Sequence, residues 1–148
     1  MSERVDFSKL RERFDKLPPG LRAELRRVAN PEELSERPAF YRLVADLEPG
    51  DGIRRVVFCL PWVAHGKGKR LGAELADAQI NERRLFQVIR SAYPNDVVQL
   101  RRLLQHASPA ADWDVLGPIL LRWSREDKRR VLEDYYLKSS RLDSESAV

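Results

Sequence analysis

Two neighbouring segments, residues 80–90 and 98–104, carry apolar side chains at helical spacing and arginines off that spacing. In a helix, residues three and four apart share a face. Leu85, Phe86, Val88 and Ile89 therefore form one face of the first segment, with Arg83, Gln87 and Arg90 opposite and Arg84 beside them. Around Leu100 the second segment gathers Val97, Leu103, Leu104 and Ala107. Arg102 falls on the far side with Val98, Gln99, Gln105 and His106, and Arg101 lies at the boundary. Two such stripes need further helices to bury them. An arginine face interrupted by glutamine also suits the sugar and phosphate oxygens of a nucleic-acid backbone. A single arginine on such a face is as well explained by solvation; the clustering is what favours binding.

Helical signals continue along the chain. Phe7, Leu10, Phe14 and Leu17 recur at helical spacing, and Pro18-Pro19-Gly20 stops that segment. Leu21, Leu25 and Val28 form the next apolar stripe. Asn30 reads as an N-cap with Pro31 at the first helical position and Glu33 three residues after the cap. Pro38 opens another helix, which 48–52 ends. Residues 53–60 are apolar nearly all round, as in a central buried helix. Val56-Val57-Phe58 would also suit a short strand, but no partner strand is evident. Asn95 or Asp96 can cap the segment around Leu100, and Ser108-Pro109 starts a stretch holding Trp113, Leu116, Ile119, Leu120 and Trp123. Ser124 with Asp127 resembles a capping box for the last helix. From Ser139 onward the chain is polar and reads as a frayed tail.

With 148 residues, 43% hydrophobic and 34% charged, the chain can bury a real core and carry a strongly charged surface. The net charge is +4, and most of the 27 basic residues are arginine, whose forked guanidinium grips phosphate at two points. A GC-rich genome raises the arginine count too, so placement says more than number. Cys59 is the one cysteine, inside an apolar run, and fits a reducing compartment. The first residues lack an apolar signal core, and no apolar stretch approaches the roughly 20 residues that span a bilayer. These features point to a soluble, cytoplasmic protein.

Catalytic signals are poor. His65 and His106 are the only histidines and stand far apart; with Cys59 they make no zinc motif. Asp112, Asp114, Asp127 and Asp134 are scattered over cap and surface positions, which gives a metal-dependent nuclease no support. The glycine-spaced basic loop at 66–70 lacks the first glycine, the following Ser or Thr and the clear preceding strand of a P-loop. It reads as a mobile or disordered loop able to touch a backbone. Trp113 and Trp123 read as core; Trp62, beside the loop, could pack or stack a base. Lys128-Arg129-Arg130 looks basic, yet Arg129 precedes Glu133 by four residues and Arg130 precedes Asp134 by four. Such pairs would neutralise the run, so it ranks low.

Five segments carry a resemblance: 38–44 (Pro-Ala-Phe-Tyr-Arg-Leu-Val), 57–60 (Val-Phe-Cys-Leu), 80–84 (Ile-Asn-Glu-Arg-Arg) with Phe86 and Arg90, 98–104 (Val-Gln-Leu-Arg-Arg-Leu-Leu) with His106 and Ala107, and 132–135 (Leu-Glu-Asp-Tyr). In this order and spacing the chain resembles the CasB family, the small subunit of the type I-E CRISPR Cascade complex. The resemblance implies two packed helical lobes and work inside a ribonucleoprotein of antiviral defence, beside guide RNA, target DNA, the backbone subunits and the large subunit. It implies a pair of copies that steady the guide–target heteroduplex and hold the displaced strand of the R-loop. It also implies no catalysis, since cleavage belongs to a helicase-nuclease recruited later.

The expectation is thus an all-α, compact multi-helix bundle: one domain over 1–138, with lobes at about 1–72 and 73–138, and a flexible tail at 139–148. No enzyme activity, cofactor, metal or membrane partner is expected. Backbone contacts are expected first at Arg27, Arg84, Arg90, Arg101 and Arg102, then at Arg26, Arg54, Arg55 and Arg83, then at Lys67, Lys69 and Arg70. The rival reading is a protein-interaction scaffold whose arginines meet acidic partner surfaces.

Overall fold

Nine α-helices, two 3-10 turns and one minimal strand pair make up residues 5–146, the part that the structure, a computed structural model, describes. The first half holds α1 (Phe7–Lys16), α2 (Pro19–Arg26), α3 (Pro38–Leu43) and α4 (Asp51–Cys59). After β1 (Ala64–His65) come α5 (Leu71–Asp77), α6 (Glu82–Arg90) and α7 (Asn95–Ala107). Then follow β2 (Ala110–Ala111), α8 (Trp113–Arg122) and α9 (Arg125–Ser146). The fold is all-α, as the periodicities require.

Local chemistry sets the ends. Asp6 caps α1 by accepting the Lys9 N–H at 3.1 Å. Pro18-Pro19-Gly20 separates α1 from α2, with proline at the start of the second helix. Asn30 accepts the Glu33 N–H at 3.2 Å, but the segment it starts is a 3-10 turn, Pro31–Glu36, rather than an α-helix. The Ser124–Asp127 box forms in full: the Ser124 hydroxyl accepts the Asp127 N–H at 3.2 Å, and the carboxylate accepts the Ser124 N–H at 3.0 Å.

Three boundaries differ from the sequence reading. Ser108 does not open a helix; it closes α7 in the left-handed conformation (φ 46°), and Asp112 caps α8 instead, accepting the Asp114 N–H at 3.0 Å. Asp96 is a buried side chain in the first turn of α7 and not its cap. Beyond Ser139, α9 runs on through Ser146, because no glycine or proline after Pro118 interrupts it. Residues 147–148 of the expected tail lie outside the described part.

The core is a single cluster. At its centre α4 buries Ile53, Val56, Val57, Phe58 and Cys59, packing against α7 and α8; α1 also lies on α8. The apolar run that could have been a strand is helical through Cys59 and ends in the 3-10 turn Leu60–Trp62. Trp113 is fully buried, its Nε1–H donating to the Val63 carbonyl at 2.9 Å. Trp123 is buried as well, whereas Trp62 is half-buried. In the second half α5 packs along α9 and α6 along α7. Gly72 makes the first contact possible: a Cβ there would stand 2.1 Å from the Val131 carbonyl oxygen. β1 and β2 pair in parallel, Ala64 with Ala110 and His65 with Ala111. Two-residue strands carry no periodicity for a sequence to display.

Cys59 sits among these side chains with no solvent contact, and burial pushes its thiol up to about 12. The thiol, and not the reactive thiolate, is therefore the folded form at neutral pH. The expected result is no alkylation by iodoacetamide at pH 8 in the native protein and complete labelling in denaturant. Rapid native labelling would place Cys59 outside the core.

Candidate nucleic-acid interface

The interface candidate begins with a buried ion pair. Asp96, 1% exposed, accepts from Lys128 Nζ at 2.8 Å and from Trp123 Nε1 at 2.9 Å. Lys128 also donates to the Ser91 carbonyl at 3.1 Å. One carboxylate thus joins the start of α7 to the α8–α9 corner, and one ammonium joins α9 to the end of α6. Lys128 is committed to structure and adds no free charge to the surface.

Around this joint lie two adjoining grooves. The larger, about 780 Å³, is lined by Glu82, Arg83, Phe86, Gln87, Arg90, Ser91 and Gln99. The other, about 550 Å³, includes Arg90, Ser91, Arg125, Lys128 and Arg129. Arg90 and Ser91 belong to both. Arg83, Arg90, Arg125 and Arg129 are exposed, and among the described residues none of the four is in an ion pair. The Tyr136 hydroxyl donates to the carboxylate of Glu82, the one acid in either lining. Four guanidinium groups around two open grooves make a surface suited to phosphate oxygens.

Sequence reasoning named Arg83 and Arg90 but passed over Arg125 and Arg129. It discounted Arg129 and Arg130 through pairs with Glu133 and Asp134, and the described structure forms neither pair. Asp134 is taken by Arg70 at 2.8 Å instead, across 64 residues of chain. The signal that could have found Arg125 was the Ser124–Asp127 box, which fixes it in the exposed first turn of α9.

The other named residues divide by what they touch. Arg101 turns inward: it donates to the Val28 carbonyl after α2, and its guanidinium carbon lies 4.1 Å from the Phe58 ring centroid. Burial lowers its pKa, although an arginine stays charged regardless. Arg55 donates to the Leu120 and Leu121 carbonyls at 2.9 and 2.6 Å, satisfying the end of α8. Arg54 holds Asp51 at 2.5 Å, and Lys69 lies 3.6 Å from Glu74. These four, with Arg70, serve internal contacts. Arg26 is exposed beside the Phe14 ring, 5.5 Å from its centroid. Arg27, Arg84, Arg102 and Lys67 are exposed, in no ion pair among the described residues, and line neither groove. Arg27 and Arg102 are chain neighbours of Val28 and Arg101, the acceptor and the donor of that inward hydrogen bond.

The 66–70 loop, read from sequence as mobile or disordered, is a turn sewn to its surroundings. Gly68, at φ +78°, donates its N–H to Asp112 Oδ2 at 2.9 Å. The Asp112 N–H returns to the Lys69 carbonyl at 2.8 Å, and the Gly66 N–H reaches the Ala111 carbonyl at 3.0 Å. The Gly68 N–H, ahead of the other contacts, holds the Asp112 carboxyl below the usual carboxylate value. His65 Nδ1 accepts the Trp113 N–H at 3.2 Å, a structural duty. Among the described residues no group of three or more His, Cys, Asp or Glu side chains is placed to hold a metal ion, and no helix is long and apolar enough to cross a membrane.

Fold and surface together define a class: a small all-helical protein whose unpaired arginines gather along grooves between its later helices. No family model matches the chain. It is 37% identical to the CRISPR system Cascade subunit CasB of Escherichia coli K12, over 95% of this chain and 99% of that one. The chain belongs to the CasB family of Cascade subunits. It also matches a chain in the crystal structure of E. coli Cascade bound to a PAM-containing double-stranded DNA target. That match has a TM-score of 0.89 and 39% identity, and covers 94% of this chain and 99% of the other. A CRISPR-associated protein of the Cse2 family from Thermus thermophilus shares the fold, with a TM-score of 0.68 at 18% identity over 88% of this chain and 95% of that one.

Proposed function

We propose that this Cascade subunit is a non-catalytic clamp that grips nucleic-acid backbone without reading sequence. In that role it steadies the guide–target heteroduplex and holds the displaced strand of the R-loop. Its partners are guide RNA, target DNA, the large and backbone subunits and a second copy of itself. The observation that carries this reading is the set of four guanidinium groups, Arg83, Arg90, Arg125 and Arg129, in no ion pair among the described residues and placed along two adjoining grooves. Arg27, Arg84 and Arg102 extend the exposed basic surface.

The chemistry suits the task. Exchanging one duplex for another in an R-loop is nearly balanced, so modest backbone contacts tip it. Phosphate contacts position a strand and carry no sequence information.

The test is a titration of labelled single-stranded DNA with the full chain across a series of salt concentrations. The logarithm of the affinity is expected to fall linearly with the logarithm of salt, by about 0.7 per phosphate neutralised. Reversing Arg83, Arg90, Arg125 and Arg129 to glutamate is expected to flatten that slope by about 2 to 3 while helicity persists. An unchanged slope in the folded variant overturns the assignment and favours the scaffold reading, in which these arginines meet acidic protein surfaces.

A further inference from the structure

The larger groove holds more than cations. Phe86, half-buried on α6, carries the Arg90 guanidinium carbon 5.0 Å from its ring centroid, and Tyr136 lies against it at 6.2 Å. An exposed arginine laid on an aromatic ring is a platform on which a planar heterocycle stacks. Gln87 and Gln99 belong to the same lining.

The platform discriminates between ligands by shape: a nucleobase has a flat face to lay on it, and a phosphate has none. We infer that the groove between α6 and α7 is a nucleobase subsite: one unstacked base of a single strand stacks on the Phe86–Arg90 platform, while Arg83 meets the adjoining phosphate. This rests on the backbone-capture reading above and narrows it, because a base held in duplex cannot enter. Selectivity for single strands then comes from the platform, and sequence tolerance follows because every base has a stacking face.

The experiment compares two labelled strands of equal length and equal phosphate count, one of thymidines and one of abasic tetrahydrofuran units, each titrated with the full chain. The thymidine strand is expected to bind roughly tenfold tighter or more, within the usual range for one stacked base, with the same salt slope for both. Phe86→Leu keeps an apolar side chain in the half-buried position and is expected to remove most of that difference without moving the slope. Equal affinity with a steep salt slope overturns the base subsite and leaves backbone capture standing. Binding of neither strand overturns backbone capture, and the subsite falls with it.

Discussion

Asp96→Ala is expected to destabilise the fold by about 3–5 kcal/mol, the usual cost of stranding one member of a buried ion pair. The carboxylate is met by Lys128 Nζ at 2.8 Å and Trp123 Nε1 at 2.9 Å, so its loss leaves a buried ammonium without its counter-charge and an indole N–H without its acceptor. For a chain of this size that lowers Tm by roughly 10 °C or more. The D96N/K128M double variant removes both charges and keeps an oxygen for Trp123, and is expected to recover most of the loss. The four-member thermal or urea series (wild type, D96N, K128M, D96N/K128M) measures the coupling. Additive effects in that series would mean that the pair is not a unit.

Gly72→Ala is expected to have the opposite sign to an ordinary helical glycine-to-alanine change. In an open helix position that substitution gains up to about 1 kcal/mol. At Gly72 the new methyl would lie 2.1 Å from the Val131 carbonyl oxygen and 2.8 Å from the Tyr135 nitrogen. Both are backbone atoms of α9 and cannot swing aside. The helices must separate along their contact, at a cost of about 1–3 kcal/mol or more. Gly20 in α2 is the control, since nothing lies within 4 Å of a Cβ there. Gly20→Ala is expected to leave the urea midpoint unchanged or slightly raised, while Gly72→Ala lowers it. A raised midpoint at Gly72 would show that α5 and α9 do not pack this closely.

What the sequence displayed was local. The 3.6-residue stripes located the helices, Pro18-Pro19-Gly20 marked a break, and the Ser124–Asp127 box marked the start of α9. What stayed hidden depended on distant partners. Asp96 looks like any acid near a helix start until Trp123 and Lys128 arrive from 27 and 32 residues away. Arg101 sits at the edge of its wheel, and only the folded neighbourhood shows its long side chain reaching the Val28 carbonyl. Arg129 looked neutralised by Glu133, and Arg130 by Asp134; which acid pairs with which base is settled by tertiary geometry, and Arg70 claims Asp134. Arginines read from a helical wheel are thus a mixture of surface groups and internal ties. The surface members are recognisable only after the ties have been identified.

The α5–α9 contact also bears on how the chain is made. Leu71, Leu75 and Ala76 of α5 are buried, and α9 is the helix most extensively laid along them. During synthesis α5 emerges about 50 residues ahead of the start of α9, an interval of roughly 3–10 s at ordinary elongation rates. Through that interval a groove shaped by Gly72 to accept a helix stands open on the nascent chain. The apolar face of α5 is therefore open to non-native contacts in the window before α9 leaves the ribosome.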